Sequence, residues 1–163
     1  MATTSDQSEL LTRAVESVTP RSLAEQKFKT GKPLRLYFGI DPTGAQIHIG
    51  HSVPLLKMRA FQDAGHHVIL LIGSFTAMIG DPTGRDELRK VLNEDDVKKN
   101  FQTYIDQAKL ILDIDKLEVR YNHEWLEKVD FKKIIGLASH FTVQQMIQRD
   151  MFKRRIKEEK PIS

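Results

Sequence analysis

Apolar and polar positions alternate along this chain in two rhythms, and the changes of rhythm lay out its elements. Leu34 to Ile40 has the two-residue period of a strand, while Val68 to Ile72 is apolar throughout, as in a parallel strand covered on both faces. Leu117 to Tyr121 is a third candidate strand. Between the first two, Leu55, Met58 and Phe61 recur at helical spacing and Gly65 stands at the expected end, which predicts a crossover helix over 52–64. Asn93 precedes an acidic first turn, and Val97, Phe101, Tyr104, Ala108 and Ile111 form an apolar stripe, so a second crossover helix is predicted over 94–112.

The flanks carry their own signals. Thr19 and Pro20 form an N-cap and first-position pair with Gly31 beyond Lys29, giving a short helix over 20–29, preceded by another over 6–17. Thr142 with Gln145 is a capping box that opens a last helix, with Val143, Met146, Ile147 and Met151 on or near one face. Strand, helix, strand in this order is a βαβ unit. The expected class is α/β, a Rossmann-like doubly wound parallel sheet, incomplete, with about three parallel strands and flanking helices. Residues 1–33 read as an N-terminal helical segment and 34–163 as part of one nucleotide-binding domain.

Composition narrows the class of protein. Of 163 residues, 40% are hydrophobic and 29% charged, the balance of a globular domain with one core. There is no cysteine, so neither disulfides nor a Cys-based zinc site exists. Residues 1–9 are polar and acidic, and no run approaches 18 apolar residues, so neither a signal peptide nor a membrane span is expected, and the expected location is cytoplasmic. A net charge of +3 does not announce a nucleic-acid binder. Lys153, Arg154, Arg155, Lys157 and Lys160 cluster, but Glu158 and Glu159 interrupt them, which favours a solvated helix face over an RNA site.

Candidate chemistry gathers where the first strand ends. Gly39-Ile40-Asp41-Pro42-Thr43-Gly44 leads to His48-Ile49-Gly50-His51, which places two imidazoles beside a helix N-terminus at the carboxyl end of a strand. Free backbone N–H groups and the positive end of the helix dipole there suit polyphosphate. Pro54 belongs in a first turn, so the helix is expected to begin near His51 or Ser52. Gly50, costly within a helix, suggests a flat ligand such as adenine close to the backbone. Two alternatives stand beside this reading. The pair could cap the helix, or it could ligate a metal, for which no third ligand is evident.

The segment from Tyr37 through Asp41-Pro42-Thr43 to His48-Ile49-Gly50-His51 resembles the first signature of class I aminoacyl-tRNA synthetases in their bacterial tyrosyl form. Phe61-Gln62-Asp63-Ala64-Gly65-His66, Leu71-Ile72-Gly73, Phe75-Thr76 and Ile79-Gly80-Asp81-Pro82-Thr83-Gly84 agree with it in order and spacing, as does Tyr121-Asn122-His123-Glu124-Trp125-Leu126. The likeness runs from about Leu34 to Ser163. It implies ATP-dependent activation of tyrosine to tyrosyl adenylate and transfer to tRNA(Tyr), with ATP as substrate, Mg2+ accompanying it, and a homodimer. By that resemblance His48 and Thr43 bind the outer phosphates, His51 and Gly50 hold adenosine, and Gly39 and Asp41 also belong to the ATP side. Neither histidine needs to act as a base, since such transfers depend on in-line positioning and on donors to developing charge. Tyr37, Thr76, Asp81 and Asn122 are implied to line the tyrosine pocket. Arg85 and Arg89 are implied to contact departing pyrophosphate. Arg85 stands where lysine is frequent, and Ser74 where many relatives have Asp.

The family's second signature, a Lys-Met-Ser-Lys-Ser type loop, does not occur in the 163 residues, and neither do the downstream tyrosine-hydroxyl contacts and RNA-binding domains. The expectation is therefore a truncated chain, marginally stable and aggregation-prone through an unpaired sheet edge and uncovered apolar surface. Three other readings compete: a tryptophanyl-tRNA synthetase, a small-metabolite nucleotidylyl transferase, and a non-catalytic nucleotide- or RNA-binding module.

Overall fold

The computed structural model describes residues 9–41, 46–79 and 94–162. Three parallel strands lie in the order β1-β2-β3: β1 is Arg35–Ile40, β2 His67–Ile72 and β3 Leu117–Tyr121. The register pairs Tyr37 with Ile69 and Ile69 with Glu118. The helices, in chain order, are α1 Arg21–Lys29, α2 Ile49–Asp63, α3 Thr76–Ile79, α4 Glu94–Ala108, α5 His123–Leu126, α6 Phe131–Ala138, α7 Val143–Ile147 and α8 Asp150–Lys157.

The expected parallel α/β class is therefore present, and the sequence period places its core. Leu36, Phe38 and Ile40, the strictly buried Val68, Leu70 and Ile72, and Leu117, Val119 and Tyr121 share one face of the sheet. Leu55, Met58 and Phe61 of α2 and Tyr104 and Ala108 of α4 pack onto that face, with Leu112 just beyond α4. Gln62 joins the two crossovers by donating from Nε2 to Asp113 O (2.9 Å) and accepting from Asp113 N–H (3.0 Å). Because β1, β2 and β3 progress in one direction, both helices fall on the same side. The opposite face carries Arg35, Tyr37, His67, Ile69, Leu71, Glu118 and Arg120.

Several boundaries move from their sequence expectation. Residues 9 and 10 are helical but 11–14 form a turn, so the helix expected over 6–17 stops early in its described part. Lys57 Nζ donates to the carbonyls of Leu10 (3.1 Å) and Arg13 and holds this turn against α2. The next helix begins at Arg21 with Pro20 as its extended cap residue, one position later than the Thr19 reading. The second crossover ends at Ala108 rather than 112, passing into a turn closed by Leu112 N–H on Ala108 O (2.8 Å). The last helix expected from Thr142 is two, α7 and α8: the capping box at Thr142, which does form, opens only the five residues of α7, and α6 is a further helix ahead of it. None of α6, α7 and α8 has a buried residue. Among the described residues no helix is long and apolar enough to cross a membrane.

Candidate active site

The carboxyl ends of all three strands converge on one bonded cluster. Asp41, just past β1, accepts at Oδ1 from Thr76 Oγ1 of α3 (2.7 Å). Thr76 Oγ1 in turn accepts from Asn122 Nδ2 (3.0 Å), and Asn122 Oδ1 accepts from Phe75 N–H (2.7 Å). Asn122 follows β3 and is fixed by donating its own N–H to Ile72 O (2.9 Å). Sequence reasoning placed Thr76 and Asn122 in one pocket, and the fold brings them together with Asp41, which the sequence had placed on the ATP side.

Gly73 makes this convergence sterically allowable, and the sequence reading of site residues missed it. Its N–H donates to Ile40 O (2.8 Å), which carries β2 past the end of β1, and a Cβ here would overlap Asp41 Oδ1 and lie 2.6 Å from Thr76 Oγ1. The signal available was a glycine directly after an apolar parallel strand, a place of close backbone approach. Ser74 and His123 were missed as well. Ser74 Oγ lies 2.7 Å from His123 Nδ1 and 3.4 Å from Asn122 Oδ1, so both belong to the same network.

Tyr37 lies on the open face of the sheet, 69% exposed, so it is not core filling. The phenol projects from the face opposite the helices. Gly39, two residues on and on the same face, has no atom within 4 Å of where a Cβ would stand, leaving open space beside Tyr37 toward the strand ends.

The mouth of α2 differs from its expectation in an instructive way. The helix begins at Ile49, ahead of the predicted His51 or Ser52, and Pro54 lies inside it rather than in the first turn. The cause is a reciprocal imidazole cap. His48 Nδ1 accepts from Gly50 N–H (3.1 Å), and His51 Nδ1 accepts from His48 N–H (3.2 Å). This satisfies donors that the sequence reading had left free for phosphate, and it supports a start early enough to make Pro54 the sixth helical residue. The flat group against Gly50 is likewise the protein's own: a Cβ at Gly50 would sit 2.9 Å from His48 Cε1.

Capping also settles what the imidazoles offer to a ligand. Each ring accepts at Nδ1, so a neutral ring carries its proton on Nε2, and neither Nε2 has a hydrogen-bond partner among the described residues. Burial, then the adjacent His48 ring, lowers the His51 pKa below the usual imidazole value and favours this neutral form. The rings lie tilted at 38° with centroids 3.9 Å apart; His48 is exposed, and His51 is partly buried, edge-to-face with Tyr104 at 6.0 Å. Two outward N–H donors on a helix mouth suit anionic oxygen better than they suit proton abstraction. Capping takes Nδ1 of each ring, so it does not compete with a ligand at Nε2, and the two readings, alternatives on the sequence alone, are compatible.

Thr43, Asp81, Arg85 and Arg89 lie outside the described residues. Among the described residues no group of three or more His, Cys, Asp or Glu side chains comes together as a metal site.

A sequence profile of the tRNA synthetases class I (W and Y) matches residues 29–163. The chain is 55% identical over 144 residues to a tyrosine–tRNA ligase of Trichormus variabilis, covering 86% of this chain and 36% of the relative. It is 49% identical over 162 residues to the tyrosine–tRNA ligase of Geobacter sulfurreducens, covering 97% of this chain and 40% of the relative. It thus spans well under half the length of these curated relatives. Among solved structures it is similar to a C-terminally truncated mitochondrial tyrosyl-tRNA synthetase of Coccidioides posadasii, with a TM-score of 0.73 and 26% identity over 98% of this chain and 46% of that one.

Proposed function

This chain belongs to the class I tRNA synthetases of the W and Y type, and from that premise we propose that it is part of a tyrosine–tRNA ligase. Residues 34–163 supply the N-terminal portion of its catalytic domain, and residues 1–33 an N-terminal helical segment. The ligase activates tyrosine with ATP to tyrosyl adenylate, releases pyrophosphate and transfers the tyrosyl group to tRNA(Tyr).

The observation that carries this reading is the cluster of Asp41, Thr76 and Asn122 at the strand ends, beside the imidazole mouth of α2. Asp41 and Asp81 offer carboxylates near the substrate ammonium, while Thr76 and Asn122 set the orientation of Asp41. Tyr37 presents its hydroxyl on the open face to the substrate phenol. A hydroxyl pairing of this kind rejects phenylalanine strongly, because the analogue leaves a polar group unpaired. His48 and His51 donate from Nε2, with Thr43 and Gly50 beside them, to the phosphates and adenosine of ATP. Arg85 and Arg89 neutralise departing pyrophosphate, and Mg2+ enters as the counter-ion of ATP rather than on a resident metal site. These groups position and neutralise; none is required to form a covalent intermediate.

Phe131, Ile134, Ile135, Leu137, Phe141, Val143 and Met146 are exposed apolar residues on α6, α7 and the turn between them, and they support a homodimer with this region at or near the interface. The location is cytoplasmic. Amino-acid-dependent exchange of pyrophosphate into ATP by the full-length protein tests the function: exchange with tyrosine is expected, and exchange with tryptophan alone would assign the protein to the tryptophanyl branch instead. Sedimentation of the same protein tests the dimer, which a concentration-independent monomer would exclude.

A further inference from the structure

The chain of donors at the strand ends extends one residue beyond the groups placed so far. Phe75 N–H donates to Asn122 Oδ1, which identifies that end of the carboxamide as oxygen and leaves Nδ2 to donate to Thr76 Oγ1. The Thr76 hydroxyl proton then goes to Asp41 Oδ1, because a carboxylate only accepts. On the other side of Asn122, Ser74 Oγ has one proton and three neighbours: it accepts from the His123 backbone N–H at 3.4 Å, and His123 Nδ1 lies at 2.7 Å and Asn122 Oδ1 at 3.4 Å. When His123 carries its proton on Nδ1, it donates to Ser74, Ser74 donates to Asn122, and every group in the line is paired in one direction: His123, Ser74, Asn122, Thr76, Asp41. Aligned donors polarise one another.

We propose that His123 is a positioning residue of the amino-acid pocket, acting through Ser74 on the Asn122 carboxamide and thereby on Thr76 and Asp41. This rests on the ligase reading above. The hydrogen bonds of the His123 ring and backbone N–H go to Ser74 rather than to Thr76 or Asp41. His123 is the first residue of α5, its ring tilted against Tyr121 at 5.5 Å, with Phe101 edge-on to Tyr121 at 5.2 Å behind it. His123 lines a cavity of about 540 Å³ together with Ser74, Met78, Val97 and Phe101. The neighbouring carboxylate does not compete for it: Glu124 is engaged by Arg120 and by Tyr121 N–H (2.9 Å). The aromatic pair thus fixes the imidazole, and Ser74, buried between β2 and α3, passes that fixation to the site. A serine serves here because its hydroxyl accepts from His123 and donates to Asn122 at once, which an ionised aspartate at this position could not do.

The test uses the full-length protein and reads the Asn122 side-chain amide pair by 1H–15N correlation in Ser74→Ala, His123→Phe and the double variant. Each single substitution is expected to shift that pair, and the double to shift it no further than the larger single. An Asn122 pair left in place by either folded single variant, or shifts that add in the double, would overturn the proposal. In the full-length protein, Ser74→Ala is expected to raise KM for tyrosine on the order of 5-fold with kcat and KM for ATP little changed. A uniform loss of active enzyme, with KM for tyrosine unchanged, would reduce Ser74 to a purely structural role and overturn the proposal. A full-length wild type without tyrosine-dependent exchange would reject the ligase reading, while the carboxamide shifts still decide the positioning role.

Discussion

On one face of the sheet Leu70 and Val68 are 1% exposed beneath α2 and α4, whereas on the other Tyr37 stands 69% exposed and Glu118 is ringed by Arg35, His67 and Arg120. The same three strands thus present a dry wall and a wet one. The dry wall is aliphatic and aromatic, its order fixed by burial, and it carries no proposed site residue. The wet wall and the strand ends hold most of the groups proposed to meet substrate, and hydrogen bonds and ion pairs rather than packing set their positions. Stability and chemistry are therefore assigned to opposite sides of one sheet, and substitutions on the two sides separate them.

The largest difference is expected from Leu70→Ala, which leaves a cavity in the packed face and costs about 2–5 kcal/mol. Tyr37→Ala on the open face changes stability by no more than roughly 0.5 kcal/mol while removing the proposed phenol contact. Urea denaturation of both variants measures the gap. Next comes Gly73→Ala, where the added methyl group drives into Asp41 and Thr76. Overpacking of this kind costs about 1–3 kcal/mol, and urea denaturation together with displaced Asp41 and Thr76 resonances would reveal it.

Acid separates the two sides in another way. His66, buried between the Phe28 and Phe61 rings, accepts from Leu34 N–H at Nδ1 (3.2 Å), and burial lowers its pKa below the ordinary 6.5. Its contribution is complete above 6.5 and is lost as pH falls below it, because the unfolded chain then binds the proton more readily. Glu118 on the open face is held at about 2, against an ordinary 4.5, first by His67 and then by Arg120 and Arg35. Its contribution is complete above 4.5 and is lost between there and about 2. Urea midpoints followed against pH are expected to fall in both windows, and His66→Gln removes only the upper one. The smallest effect is expected from Tyr104→Phe. The hydroxyl of Tyr104 is buried without a partner among the described residues, and burial pushes its pKa up to about 12. Deleting it is neutral or stabilising by up to about 1 kcal/mol, measurable as an unchanged or higher thermal midpoint.

The parallel strands and the two crossover helices were legible because their apolar periods are long and unambiguous. The elements that moved include the start of α2, which the imidazole cap sets at Ile49 despite Pro54, and the last helix, which breaks after Ile147. In the site, Thr76 and Asn122 were legible through their likeness to a family signature, and they do meet. Gly73, Ser74 and His123 were given no site role, because their roles depend on three strand ends arriving at one place, and no local pattern encodes that distance. The histidine pair was legible as a feature, but its division of labour, Nδ1 for the helix and Nε2 outward, emerged only from the geometry.

The central claim is that the bonded strand-end cluster forms the amino-acid pocket, and Thr76→Val tests it most directly. Valine keeps the shape but removes the hydroxyl linking Asn122 to Asp41. In full-length protein, the account predicts that KM for tyrosine in pyrophosphate exchange rises at least about 10-fold while KM for ATP stays within roughly 2-fold. An unchanged KM for tyrosine in that variant would contradict it.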